Sequence, residues 1–356
     1  MFRGMRQRCL AGTVILTLVG LGCKGAAQEK PPAAAPTGER VLVFPKDRSL
    51  GTVKVRERGS ADRKAWKDLA PAQGEVKVPA GQEALLKVSA DGAKDLKPLE
   101  SLAPDALDVL DLDNVPVTDD QLASIAKLAK LARLDLSKTK ITDAGLAQVE
   151  KLTSLQALNL AYTAVTDDGL ARIEKMTSLK TLILRRTKLT DAALAHVKDL
   201  AGLTLFDMRK AKITGSGLSN LKGMAGLKTL LLSNNRLVAD AYPNIAVLKS
   251  VETLELNHAR TTNDQLAQLK DLTGLRSLEL SSTALTDDGL AMLKSFPSLQ
   301  TLRLRANKKI TIKAIPTLKG LTTLTSLDLR GTKITPAAIE ELQPALPKCE
   351  IKIKVK

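Results

Sequence analysis

Leu131-Ala132-Arg133-Leu134-Asp135-Leu136-Ser137-Lys138-Thr139-Lys140-Ile141-Thr142-Asp143-Ala144-Gly145-Leu146-Ala147-Gln148-Val149-Glu150-Lys151-Leu152 changes its hydrophobic period halfway along. Leu134 and Leu136 alternate with polar neighbours, as a strand with one buried face requires. Leu146, Val149 and Leu152 then recur at every third residue, which is a helical period. The unit is repeated from Leu107, Leu131, Leu155, Leu179, Leu203, Leu227, Val251, Leu275, Leu299 and Leu324, at a spacing of 24 residues that lengthens to 25 once, in the ninth unit. One strand and one short helix cannot bury an apolar face alone, so such units must stack on each other.

The helix start is marked by Thr142 and its counterparts Thr118, Thr166, Thr190, Thr214, Thr262, Thr286 and Thr335. Each carries a hydroxyl able to accept from free N–H groups. Gln121 and Gln265, three residues after Thr118 and Thr262, are placed for capping boxes, and Pro336 follows Thr335 where a first-turn proline is tolerated. Asp143, Asp167, Asp191 and Asp287 in the first turn suit the helix dipole, as do Lys151, Lys175, Lys198, Lys222, Lys270 and Lys294 near the last.

The Leu-x-x-Leu-x-Leu-x-x-Thr core and the Thr-Asp-x-Gly-Leu helix start resemble the leucine-rich repeat family, in its F-box-like and bacterial variants, across residues 95 to 356. The resemblance implies an α/β fold: a right-handed solenoid with parallel strands on a concave face and short helices on the convex one. Ten strands about 4.8 Å apart would span roughly 45 Å, a surface for a macromolecule. The chain departs from the family at the ninth position of the unit. Thr139, Thr163, Thr187, Thr283 and Thr332 stand where asparagine or cysteine is usual, and only Asn235 and Asn307 keep the amide. A hydroxyl can satisfy inward backbone groups, though with fewer bonds than an amide.

Composition agrees with a layered aliphatic core, since aromatics make up only 2% of 356 residues. The formal charge is +16, and the chain stays strongly basic without Arg3, Arg6 and Arg8 of its leader. A basic balance favours anionic partners but says nothing of fold.

Residues 1–22 read as an export signal: a basic start, an apolar run from Leu10 to Leu21, and Gly22 before Cys23. The Gly22-Cys23 junction resembles the lipobox of bacterial lipoproteins, which would make Cys23 the lipidated first residue; Gly20 stands where that motif favours leucine. An ordinary cleavage near Ala27 or an uncleaved anchor are the alternatives, and all three export the chain to a membrane-anchored, periplasmic or secreted location. Residues 23–40 hold Pro31, Pro32 and Pro36 among alanines, the composition of a semi-rigid spacer. Residues 41–93 then read as a small β-rich cap of four antiparallel strands around Trp66, over the first repeat. The repeats fill 94–356 and end in a half-strand holding Cys349.

The seventh and eighth positions of repeats four and five are Arg185, Arg186, Arg209 and Lys210, and Lys188, Lys212, Arg236 and Arg260 continue the same edge at position ten. Eight bases on neighbouring rungs form a patch able to bind an anion, or a merely solvated face. Glu255 and Glu279 should be adjacent in one column with Arg303 as a neutralising partner, so acid–base or calcium chemistry there is not expected. His258 beside them is not expected to hold a metal, and His196 and Cys349 read as packing residues. There is no phosphate loop, no zinc spacing and no aromatic interleaving for nucleic acid, and no cofactor is expected.

These readings point to a monomeric, exported, extracytoplasmic binding protein of the cell envelope, not an enzyme, that holds a protein or an anionic polymer on its concave face. The alternatives are an F-box-like adaptor or ubiquitin-ligase-type protein, for which no catalytic cysteine context or F-box-like segment is present, and a purely structural envelope component.

Overall fold

The computed structural model describes residues 38–353. The export leader, Cys23 and the proline-rich stretch as far as residue 37 lie outside the described residues. The N-terminal part holds β1 (Arg40–Val43), β2 (Gly51–Glu57), β3 (Lys67–Pro71), β4 (Glu75–Val78) and β5 (Gln82–Val88). The repeats add β6 (Val109–Asp111), β7 (Arg133–Asp135), β8 (Ala157–Asn159), β9 (Thr181–Ile183), β10 (Leu205–Asp207) and β11 (Thr229–Leu231). They continue with β12 (Thr253–Glu255), β13 (Ser277–Glu279), β14 (Thr301–Arg303), β15 (Ser326–Asp328) and β16 (Glu350–Lys352).

Strands β5 to β16 run parallel in chain order, with registers such as Leu134↔Leu158 and Leu254↔Leu278 that stack the central leucine of each strand on the next. Those leucines, together with Leu136, Leu146, Val149 and Leu152 and their counterparts, are fully buried and form one continuous core. Parallel strands need a crossover on the far side of the core, and the short helices supply it.

Some of these helices are α, such as Asp143–Val149 and Pro336–Leu342, and others are 3-10, such as Asp191–Val197 and Ser216–Gly223. A 3-10 turn advances about 2.0 Å per residue against 1.5 Å for an α turn, so a 3-10 segment of similar residue count is the longer crossing.

The cap is joined to the solenoid more closely than four free-standing antiparallel strands would be. Strand β5 pairs antiparallel with β2 on one edge and parallel with β6 on the other, so it is already the first rung. β3, which carries no alternating pattern, is an unexpected edge strand ending at Pro71, and β1 pairs only with β4. Leu42, Phe44, Leu50, Val53, Val76 and Leu86 fill the cap core. Trp66 does not: it is half-exposed, with the Arg56 guanidinium 4.6 Å from its ring centroid.

At five helix starts an aspartate joins one repeat to the threonine of the next. Asp119 accepts from the amide and hydroxyl of Thr142, Asp143 from those of Thr166, Asp167 from those of Thr190, Asp191 from those of Thr214 and Asp287 from those of Thr311. The glycine of the motif leaves room for this clamp, since a Cβ on Gly169 would fall 2.2 Å from Asp143 Oδ1. Ala193 fills the corresponding slot in the next repeat, so a methyl can be fitted. Capping is less uniform than the recurrence of threonine suggests. Thr142, Thr190, Thr262 and Thr335 cap with their hydroxyls and Gln265 completes a capping box, while the Thr118 hydroxyl donates to Gln121 instead.

The clamp is absent across two consecutive interfaces, where Gly215 and Ala239 replace the acid. At the first of these the amide of Val238 reaches the carbonyl of Thr214, at 2.8 Å.

At the ninth position the threonines bond within their own repeat, as Thr163 Oγ1 does to Leu160 O at 2.7 Å, and Thr283 also reaches Asn307 of the next. The two asparagines also reach back: Asn235 Nδ2 donates to Leu232 O and Met208 O, and Asn307 Nδ2 to Leu304 O and Leu280 O.

Candidate anion-binding rim

Each strand ends in a turn whose eighth residue is left-handed: Asn114, Lys138, Tyr162, Arg186, Lys210, Asn234, His258, Ser282 and Ala306 all have φ between 54° and 63°. A left-handed non-glycine residue costs roughly 1–2 kcal/mol. The turn is held because its amide donates to the seventh residue of the following repeat, as Arg186 N does to Arg209 O and Lys210 N to Ser233 O, both at 3.0 Å. The eighth side chain is thereby thrown outward along one rim of the concave face. Arg186 and Lys210 are exposed there, and Lys188, Lys212, Arg236 and Arg260 are exposed two residues further on. Arg260 is itself left-handed at φ 59°.

Arg185 is half-buried, and its guanidinium and that of Arg186 lie 5.0 and 5.2 Å from the Tyr162 ring centroid. These distances suit a cation–π contact.

Arg209, grouped with these bases in sequence, behaves differently. Its Nε and Nη2 grip both oxygens of Asp207, at 2.9 and 2.6 Å, and Nη1 reaches Glu255 at 3.2 Å. The Asp207 side chain is fully buried. Arg209 therefore neutralises the concave face and is not a free charge on the rim. The signal was present in the sequence, because positions five and seven of a unit lie on the same side of an extended chain.

The remaining seven, Arg185, Arg186, Lys188, Lys210, Lys212, Arg236 and Arg260, have no ion-pair partner among the described residues. Sequence reading also passed over Arg305, Lys308 and Lys333, which occupy the same turn positions in the ninth and tenth repeats, and Lys309 beside them, all exposed.

The acidic column on the concave face is balanced from within. Glu255 and Glu279 are in register, and Arg303 pairs with Glu279 at 2.5 Å. Burial raises the Glu255 carboxyl above its ordinary range, with Glu279 and Asp207 adding to the shift and Arg209 opposing it. His258 is exposed at its left-handed turn, and among the described residues no three His, Cys, Asp or Glu side chains are grouped to hold a metal ion. His196 is not a packing residue: it is half-exposed and pairs with Glu174 of the preceding repeat. Cys349 is buried in the last turn, its thiol pushed up to about 11 by burial and by Glu350.

With this geometry established, the chain belongs to the leucine-rich repeat family: a model of the leucine-rich repeat region matches residues 86–352. Among solved structures it is similar to an internalin of Listeria monocytogenes, with 22% identity and a TM-score of 0.52 over 77% of this chain and 86% of the other. A second Listeria monocytogenes protein, internalin C2, gives 20% identity and 0.46 over 68% and 92%. The plant peptide hormone receptor RGFR1, solved in complex with RGF2, gives 18% identity and 0.47 over 76% and 45%. The likeness to the first internalin is one of fold. No curated protein matches the chain in sequence.

Proposed function

We propose that this is an exported leucine-rich repeat protein, monomeric and held at a membrane through lipidated Cys23, that binds an anionic macromolecule along the basic rim of its concave face. One observation carries the reading. Seven bases on four consecutive rungs, Arg185, Arg186, Lys188, Lys210, Lys212, Arg236 and Arg260, stand without a carboxylate partner among the described residues, on a rim whose shape the left-handed turns fix. Charges concentrated in this way raise the local potential more than the helix-end lysines dispersed over the convex side.

Binding is tested on heparin with the full-length protein in detergent. Changing Arg186, Lys188, Lys210 and Lys212 to serine is expected to lower the eluting salt concentration far more than the same change at Lys151, Lys175, Lys270 and Lys294. Equal losses would reduce the rim to bulk charge. Screening over about 8 Å at physiological ionic strength makes the contact salt-sensitive. For the anchor, Cys23→Ala is expected to move the protein from the membrane fraction to the soluble one, and unchanged fractionation would remove lipidation from the proposal.

A further inference from the structure

The rim is basic well beyond repeats four to seven. At its seventh, eighth and tenth turn positions, repeats three to ten carry no acidic side chain at all. The bases resume in repeats nine and ten with Arg305, Lys308, Lys309 and Lys333, all exposed; the three lysines have no ion-pair partner among the described residues, and Arg305 has only the field of Asp328, which Arg330 already holds. At about 4.8 Å per rung, repeats four to ten extend for roughly 29 Å. A compact anion could touch only one end of that length.

The backbone of the rim is closed to a partner. The eighth-position amides of Tyr162, Arg186, Lys210, Asn234, His258, Ser282 and Ala306 all donate to the next repeat, at 2.7 to 3.0 Å. A peptide could not extend the sheet there through main-chain bonds, so a peptide ligand would have to be held by its acidic side chains alone, which the polyglutamate arm below tests. The large apolar side chains exposed along these turns are Tyr162, beneath two arginines, and Val238. Single-stranded nucleic acid would need a series of aromatic platforms, which one tyrosine flanked by two arginines does not supply. What remains is repeated charge presented by side chains, a pattern suited to a linear polymer with a regularly spaced carboxylate or sulfate.

We propose that the ligand is an extended acidic polysaccharide lying along the rim across the rungs, from Arg185 to Lys333, with Arg305, Lys308, Lys309 and Lys333 as a second contact region. This deepens the anion-binding reading above and rests on it.

The test uses full-length protein in detergent and heparin oligosaccharides of graded length, with polyglutamate of matched contour length as a second arm. Affinity is expected to rise with length until the oligosaccharide spans the rim, then level off. Changing Arg305, Lys308, Lys309 and Lys333 to serine should weaken long oligosaccharides about tenfold or more and leave short ones unchanged, because only a spanning chain gains from the second region. If this variant binds long chains normally while the Arg186, Lys188, Lys210 and Lys212 variant does not, the extended footprint is wrong and the anion-binding reading stands. If neither variant changes binding, both fall. Polyglutamate binding as tightly as heparin would overturn the assignment to a polysaccharide.

Discussion

Asp143 in one repeat holds both the backbone amide and the hydroxyl of Thr166 in the next, at 2.8 and 2.6 Å. A hydrogen bond to a charged acceptor contributes about 1.5–3 kcal/mol. Asp143→Ala is therefore expected to lower unfolding free energy by about 2 kcal/mol. The chain also contains its own control. Asn263 takes the acid's place and still joins its neighbour, accepting from Thr286 N at 3.1 Å while its amide donates to Thr286 Oγ1 at 2.8 Å. Asp143→Asn should then lose less than half as much. Denaturant melts of the two variants check this, and equal losses would show that the carboxylate's charge, not its two acceptors, joins the repeats.

The strand and helix of each unit were legible from Leu134, Leu136, Leu146 and Val149, because a period of two and a period of three cannot share one conformation. The rim column was legible as well, since a 24-residue period places like positions side by side. What went unread was how particular side chains meet, between repeats for Asp143 and within one repeat for Arg209. Asp143 reads as a dipole partner for its own helix, and only the stacked geometry turns it toward Thr166. Arg209 reads as one more base until Asp207 is seen buried beneath it. β3 escaped because its residues are mostly exposed and so carry no alternation to find.

Two carboxylates should bend the stability profile in opposite directions. Burial alone would raise Asp191, but hydrogen bonds from the Thr214 hydroxyl and the amides of Thr214, Gly217 and Gly215 hold it below its ordinary value. Its contribution is present above the unfolded carboxylate pKa, near 4, and is lost as pH falls through the lower folded value. Glu255 is raised, so the stability linked to it is present below its unfolded pKa and is lost as pH rises through the folded one. Asp191→Asn is expected to destabilise at neutral pH and flatten the acid limb. Glu255→Gln should leave stability at pH 7 unchanged or higher. Melting temperatures from pH 3 to 7 would show it, and parallel shifts of both variants would contradict the assignment.

Asn307 is almost completely buried and ties two repeats together through four bonds, two from its amide and two to its oxygen from Thr283. Threonine is tolerated at this position in five other repeats, where it bonds only locally or to a neighbouring asparagine. Asn307→Thr should therefore fold but lose roughly 1–3 kcal/mol, because the Thr283 amide loses its acceptor and Leu280 O keeps only the Thr283 hydroxyl. Calorimetry of the single variant is sufficient. A melting temperature equal to that of the parent would mean that water replaces the amide.

The sharpest separation of structure from binding concerns Arg209. Read from sequence it belongs with Arg186 and Lys210, yet its guanidinium is bound to both oxygens of Asp207 and to Glu255. Desolvation of this arginine is more than offset by the two carboxylates, so its charge is held more firmly than usual. Removing it would leave Asp207, whose side chain is fully buried, as an uncompensated charge. Breaking such a pair costs about 3–5 kcal/mol. Arg209→Ser is thus expected to be strongly destabilised while retaining heparin affinity at temperatures where it remains folded. Replacing Asp207 as well, in Asp207→Asn with Arg209→Ser, should recover much of the stability, because the buried charge goes with its partner. Lys210→Ser, one residue away, should do the reverse: no measurable change in melting and a clear loss of affinity. If Arg209→Ser instead melts normally and binds poorly, Arg209 is a rim base after all and the pairing with Asp207 does not hold in solution.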